Sequence, residues 1–253
     1  MNGSRIIAIA NQKGGVGKTT TAINLGASLA MNNNEVLIID FDSQMNATSG
    51  LGIRETKENN INSLILGKKS LEEVLEPTPV EGLMLVPGSR DLSGLEIELA
   101  GAEYREYLLK EALENSTDSF DYVLIDCPPS LGLLTINALV ASREVLVTLQ
   151  SEYYALEGLS HLMDTVKNVS QLWNPGLKIS GVVLTMFDKR LILSRDVEEE
   201  VKEFLGSILY RTCIPRNVKL SEAPSYGMPV LLYDAKSKGA LSYLNLAREV
   251  MKR

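Results

Sequence analysis

The segment Lys13-Gly14-Gly15-Val16-Gly17-Lys18-Thr19-Thr20 constrains this chain more than any other feature. It stands between an Ile-rich apolar run, residues 5–10 (RIIAIA), and the stretch KTTTAINLGASLAM, in which Ala22, Leu25, Leu29 and Ala30 recur at helical spacing. A continuous apolar run reads as a strand buried in a parallel sheet, and an apolar stripe of that period reads as a helix lying on it. A glycine-rich turn between the two lets successive backbone N–H groups converge on an anion, and the helix N-terminus behind it adds partial positive charge. Residues 13–20 are therefore expected to cradle the phosphates of a nucleoside triphosphate. Lys18 supplies a mobile charge for the β and γ phosphates, and the Thr19 hydroxyl is a ligand for Mg²⁺. Gln12 stands where the common pattern G-x-x-x-x-G-K-[ST] has its first glycine, and a second lysine, Lys13, opens the loop.

The strand, loop, helix grammar repeats. Further apolar runs of strand length occur at residues 36–41 (VLIIDF), 83–86, 122–125, 145–149, 179–185 and 208–213. Helical periodicity occupies residues 104–113, 133–141, 156–172, 196–205 and 240–251. Alternation of this kind predicts an α/β fold with a doubly wound, mostly parallel sheet and helices on both faces. With no linker-like composition, fixed-period repeat or low-complexity tract, residues 1–253 are expected to form a single domain. Residues 53–103 are the least regular, with an Asn-rich piece at 56–62 and prolines at 77 and 79. They read as a surface excursion with short helices, or alternatively as a partner-binding surface.

A phosphate loop needs carboxylates at the ends of neighbouring strands, where metal and attacking water meet. Asp126 follows the run at 122–125, and Cys127-Pro128-Pro129 then breaks the strand, as suits an acid on the Mg²⁺ side. Asp40 and Asp42 close the second strand, and alternation puts them on one side of it. Asp42 is expected to orient the attacking water, or else to serve as a helix cap or strand-end acid, with Asp40 nearer the metal shell. The lone histidine, His161, sits in a helical stretch, which leaves no Ser/His/Asp constellation. Trp173 reads as a helix-end anchor and Tyr153-Tyr154 as packing at a strand-to-helix junction.

Charge bears on partners. The chain carries a net −7, which argues against coating nucleic acid by bulk charge, but residues 189–253 hold 12 Lys and Arg against 8 Asp and Glu. Local fields govern polyanion binding. Lys189, Arg190, Arg195, Arg216, Lys219, Lys236 and Lys238 are the candidate phosphate contacts. Cys127 and Cys213 lie far apart and outside any CxxC pair, which argues against a disulfide framework or zinc site. With no long apolar run or leader pattern, the expected location is cytoplasmic.

Three segments, KGGVGKTT at 13–20, IIDFDSQMNATSGLG at 38–52 and VLIDCPPSLGLLTINAL at 123–139, closely resemble the ParA/Soj family of chromosome and plasmid partitioning ATPases. That family is a branch of the deviant Walker A P-loop ATPases, which also include MinD and the nitrogenase iron protein. The likeness continues through EYYALEGL, LTMFD and IPRNVKLSEAPSYG and so spans nearly the whole chain. It implies ATP and Mg²⁺ as ligands, a face-to-face homodimer sandwiching two nucleotides, and binding of double-stranded DNA without sequence preference by that dimer. Slow hydrolysis, stimulated by a ParB-type partner at centromere-like sites, then releases the DNA, so the resemblance places the protein on the nucleoid. It further implies that Lys13 reaches the partner's phosphates in trans, and that Pro215 and Asn217 contact adenine. Where the family reads D-x-D-P-Q-G-N, this chain has Asp40-Phe41-Asp42-Ser43-Gln44-Met45-Asn46. The alternatives are a MinD-like membrane ATPase, which needs a basic amphipathic helix after the domain, and a cluster-carrying relative, which needs paired cysteines.

Overall fold

The computed structural model describes residues 3–54, 57–99, 101–114, 116–152 and 155–253. Elements follow in the order β1 (Arg5–Ala10), α1 (Lys18–Ala30), β2 (Val36–Asp40), α2 (Asn46–Gly50), α3 (Ile61–Ile65), α4 (Leu71–Val74), β3 (Glu76–Pro77), β4 (Leu83–Val86), α5 (Leu92–Glu98), α6 (Leu108–Leu113), β5 (Tyr122–Asp126), α7 (Leu133–Ala141), β6 (Glu144–Gln150), α8 (Ala155–Leu172), β7 (Lys178–Thr185), α9 (Ile192–Leu205), α10 (Val218–Glu222), α11 (Val230–Tyr233) and α12 (Lys238–Met251). The strands form one sheet in the order β3-β4-β2-β5-β1-β6-β7, parallel throughout except for β3 on β4. Proline at Pro77 is tolerated because β3 is an edge strand.

Strand alternation separates two cores, which is what a doubly wound sheet requires. Ala8, Ala10, Leu37 and Ile39 face one side, with the buried residues of α3 to α9. Ile7, Ile9, Val36 and Ile38 face the other, with α1 and α12. The topological switch falls beside β1, whose two neighbours are β5 and β6. Ligands of such sheets bind at the carboxyl ends of the strands flanking that point, and there the 13–20 loop leaves β1.

Four local expectations differ from what the chain does. Residues 208–213 do not form a strand. The Tyr210 and Ile214 N–H groups reach Val182 and Leu184 O of β7 at 2.8 Å, but the intervening Arg211 and Thr212 N–H groups donate to the Glu249 carboxylate at 2.9 and 2.8 Å. An acid from α12 thus takes the donors that a ladder would need. The helix expected from Tyr104 begins at Leu108, because Tyr104 sits at φ 58°. The helix expected from Asp196 begins earlier, at Ile192. The irregular stretch after residue 53 does contain short helices, but it is not only a surface excursion: Ile61, Leu64, Leu71, Val74, Leu92 and Leu95 are buried in the first core. Thr56, Tyr153 and Tyr154 lie outside the described residues. His161 is exposed on α8, and Trp173 at the end of that helix packs half-buried against the first core.

The loop after α2 meets the segment before α11 at two glycines, Gly52 (φ 78°) and Gly227 (φ 67°). A Cβ on Gly227 would lie 2.6 Å from Gly52 Cα. The left-handed conformation costs a side-chain-bearing residue about 1–2 kcal/mol, and the backbone clash adds to that. Gly227→Ala is therefore expected to destabilise the fold by about 2–4 kcal/mol, read from the urea midpoint at unchanged m-value.

Candidate active site

The loop leaving β1 is fastened before it reaches its glycines. Asn11 Nδ2 donates to Thr148 O at 2.7 Å, and Asn11 Oδ1 accepts the Lys13 N–H at 3.0 Å. At the far end the Thr185 hydroxyl of β7 donates to Val16 O at 2.9 Å. Gly15 (φ 76°) and Gly17 (φ 86°) turn the chain into α1, and Gly17 is its N-cap without any side-chain cap. The first N–H groups of α1 are thus left for an external acceptor, as at an anion-binding helix terminus. Lys18 is buried and folds back so that Nζ donates to Lys13 O at 3.0 Å. Burial pulls its pKa down, and the carboxylates of Asp126 and Asp42 act in the opposite direction. Lys13 instead points outward, half exposed, and pairs with Glu152.

Beside this loop the sheet register sets Asp40 of β2 directly against Asp126 of β5. The two acids differ in what holds them. Asp40 Oδ2 accepts the Thr48 N–H at 2.7 Å and the Thr48 hydroxyl at 2.6 Å, while Oδ1 accepts the Asp42 N–H at 3.4 Å. Burial still raises its pKa to about 6. Asp126 is fully buried, and neither carboxylate oxygen has a hydrogen-bond partner among the described residues. Burial first, and Asp40 second, hold its pKa well above the usual carboxylate range; the neighbouring Thr19 hydroxyl and Lys18 ammonium offset part of this. A buried acid with two open oxygens is costly unless a cation completes it. Its chemistry fits a hard, oxygen-seeking cation such as Mg²⁺, with the Thr19 hydroxyl as a further donor.

Asp42 follows at the mouth of the sheet, buried, and its Oδ1 accepts the Gln44 N–H at 3.0 Å. Met45 then takes φ 56°. It stands where the family pattern has glycine, so the turn demands the left-handed conformation whatever residue occupies it. Cys127, next to Asp126, is buried, and burial pushes its thiol pKa up, away from reactivity.

A cavity of about 360 Å³ opens next to the loop, lined among others by Gly17, Thr20, Thr185, Met186, Pro215, Asn217 and Tyr243. It joins the phosphate loop to the segment 214–218, so Pro215 and Asn217 share a surface with Gly17 and Thr20 although some 200 positions separate them. Asn217 Oδ1 accepts the Lys219 N–H at 2.9 Å, capping α10 and fixing the side chain at the rim. Of the other lining residues, Met186 (φ 51°) lies inside the LTMFD segment, and Tyr243 has no local mark in the sequence.

Residues 4–179 match the family described as an AAA domain. The chromosome partitioning protein ParA of Myxococcus xanthus (strain DK1622) is 52% identical over 250 residues, covering 98% of this chain and 88% of that protein. The sporulation initiation inhibitor protein Soj of Bacillus subtilis (strain 168) is 53% identical over 247 residues, covering 97% and 98%. The chain belongs to the ParA/Soj family of chromosome-partitioning ATPases. Its fold extends beyond partitioning proteins: the structure of cobyrinic acid a,c-diamide synthase from Mycobacterium smegmatis, with bound ATP analog and magnesium, gives a TM-score of 0.86 at 38% identity, covering 98% of this chain and 95% of that one.

On this ParA/Soj chain the seven basic candidates all follow β7, Arg195, Lys219 and Lys238 in helices and the other four on connections. Asp188 draws one group together: Arg190 forks onto its carboxylate at 2.9 and 2.7 Å, and the Arg216 charge lies near enough to lower its pKa further. The single bridge between Phe187 and Pro215 aligns these two loops, with Lys189 in the first of them. Lys219 pairs with Glu222 at 2.8 Å and lies over the Tyr233 ring of α11, and Lys236 and Lys238 follow α11 in the chain. Arg195 is exposed one turn into α9. No helix among the described residues is long and apolar enough to cross a membrane.

Proposed function

We propose that this chain binds ATP with Mg²⁺, hydrolyses it slowly, and in its ATP-bound, dimeric form holds duplex DNA without sequence preference, for the segregation of a chromosome or plasmid. The observation that carries the reading is Asp126: a fully buried carboxylate with two open oxygens, close to Lys18 and Thr19 of the phosphate loop. The base occupies the cavity beside that loop against Pro215 and Asn217, with Met186 and Tyr243 among its walls, and the phosphates lie along residues 13–20. Thr19 and Asp126 hold Mg²⁺, which supplies charge neutralisation at the phosphoryl oxygens when bound. Asp40, whose oxygens are committed to Thr48 and Asp42, serves from behind.

Lys18 places a positive charge at the β and γ phosphates, and its lowered pKa reflects a group that loses little hydration on meeting them. Asp42 accepts a hydrogen bond from the attacking water and aligns it with the γ phosphorus; little covalent chemistry is asked of the protein in such a transfer. Lys13 exchanges Glu152 for the partner subunit's phosphates, adding a cation in trans where transition-state charge develops. An exposed ion pair of this kind is worth only about 0–1 kcal/mol, so it gives way readily. Stimulation by a ParB-type partner follows if that partner stabilises the dimer or orders the loop carrying Asp42. The competing MinD-like attachment finds no support in α12, which spends its apolar face, including Ala240, Tyr243, Leu246 and Val250, on the core with α1.

The test is retention of unrelated duplex DNA by the purified protein with no nucleotide, with ADP and with ATP, over a salt series. ATP alone should give retention. Charge reversal at Lys189, Arg216, Lys236 or Lys238 should weaken it for every sequence and lower the salt slope by about one per contact removed. Equal retention in all three nucleotide states, or in every charge-reversed variant, refutes the DNA reading.

A further inference from the structure

We propose that Thr48 is a positioning residue for hydrolysis, acting through Asp40 to fix the loop that carries Asp42. The proposal rests on the reading of Asp42 as the group that orients the attacking water. Residues 41–45 join β2 to α2 without a proline or glycine to stiffen or shape them. Beside the turn's own hydrogen bonds, one buried carboxylate fastens both ends of the stretch. Asp40 Oδ1 accepts the N–H of Asp42, at the start of the loop. Asp40 Oδ2 accepts both the N–H and the hydroxyl of Thr48, in the first turn of α2. The Thr48 hydroxyl in turn accepts the Gly88 N–H at 2.8 Å, which ties the loop to the chain leaving β4. Thr48 and Asp40 are buried, at 1% and 0% exposure, so no water replaces these bonds.

Packing closes the same clamp. A Cβ on Gly88 would lie 3.0 Å from Met45 Cγ and 3.1 Å from Asp40 Cγ, so glycine there lets the three chain segments meet. Met45 holds a left-handed backbone that its side chain disfavours, and its buried side chain sits against Gly88. Such strain persists only where the surroundings over-determine it. Removing the Thr48 hydroxyl takes one donor from Asp40 and leaves the Gly88 N–H buried without an acceptor. The loop is then free to relax at Met45, and Asp42 loses its fixed place. Misplacement by about 1 Å is enough to cost about 100-fold in rate.

The experiment is steady-state ATP hydrolysis, as kcat and KM, with thermal melting in parallel, for Thr48→Val, Thr48→Ser, Gly88→Ala and Asp42→Ala. Thr48→Val keeps the shape and loses the hydroxyl. It should lower kcat by about 10- to 100-fold with KM for ATP held within about twofold, and Thr48→Ser should restore the rate. Gly88→Ala, which crowds Met45 and Asp40 without touching the hydroxyl, should lower kcat in the same selective way, and it carries the test if Thr48→Val does not fold. An unchanged kcat in a folded Thr48→Val overturns the proposal. A joint loss of kcat, KM and melting temperature that serine does not restore also overturns it, in favour of a purely structural role. The two readings separate in the control: an inactive Asp42→Ala beside a fully active Thr48→Val removes only the positioning role, whereas an active Asp42→Ala removes the reading of Asp42 beneath it.

Discussion

Asp126→Asn is expected to raise the melting temperature of the nucleotide-free protein at pH 7.5 while lowering ATP hydrolysis about 100-fold. The opposed signs come from one cause. Asp126 has a pKa raised well above the ordinary value, chiefly by burial and then by Asp40. A carboxyl whose folded pKa lies above its unfolded one contributes stability below the unfolded pKa and loses it as pH rises through the folded one. At neutral pH the folded chain must therefore either hold a proton that the unfolded chain releases or bury a charge. The neutral amide avoids both, so the melting gap between variant and wild type should be near zero at about pH 4 and widen as pH rises. Each kcal/mol recovered moves the transition by about 2–4 °C in a chain of this size. Hydrolysis falls because the amide is a poorer partner for the cation that neutralises phosphoryl charge, and a loss of about 3 kcal/mol in transition-state stabilisation is about 100-fold in rate. Melting curves from about pH 4 to 8 and phosphate release at saturating Mg²⁺ measure the two arms. A variant that melts lower at pH 7.5 and hydrolyses normally would show that Asp126 is a structural acid.

Asp42→Ala should reduce hydrolysis by about 10²- to 10⁴-fold, the range for losing a group that handles the proton of the attacking nucleophile. Nucleotide affinity should be retained, because Asp42 belongs neither to the phosphate loop nor to the cavity wall. The structural cost is small: among the described residues its side chain accepts one hydrogen bond, from the Gln44 N–H at an exposed position, worth about 0.5–1.5 kcal/mol. With hydrolysis blocked and ATP still bound, retention on DNA should lengthen in proportion to the lost rate. Dissociation from immobilised duplex after excess competitor, beside nucleotide binding by fluorescence, reads both quantities. Loss of ATP binding together with hydrolysis would return Asp42 to the role of a strand-end or turn-forming acid.

Two neighbouring acids divide what local sequence marks from what packing assigns. Asp40 and Asp126 look alike in sequence, each closing an apolar run, and that position alone put both at a strand end. Only the partners distinguish them. Thr48 is eight residues from Asp40 and reads locally as an unremarked helix residue, yet it commits that carboxylate to holding a loop. Asp126 keeps both oxygens without a hydrogen-bond partner among the described residues. Met45 shows the converse: its departure from the family pattern was visible in sequence, but that the position demands φ 56° was not.

What the sequence determined was local and periodic. Apolar runs of strand length, helical stripes and a glycine-rich turn each act within a few residues, through backbone sterics and burial. They therefore marked the parallel sheet, the helices on both faces, the phosphate loop and the carboxylates at strand ends. What the tertiary structure decided was competition between distant partners. Glu249 takes the N–H groups that would have made residues 208–213 a strand. Pro215, Asn217 and Tyr243 join Gly17 and Thr20 around one cavity, and Gly52 meets Gly227 backbone to backbone. A hydrogen bond or a close approach across such separations depends on where packing brings the groups, and no short-range pattern of residues records that.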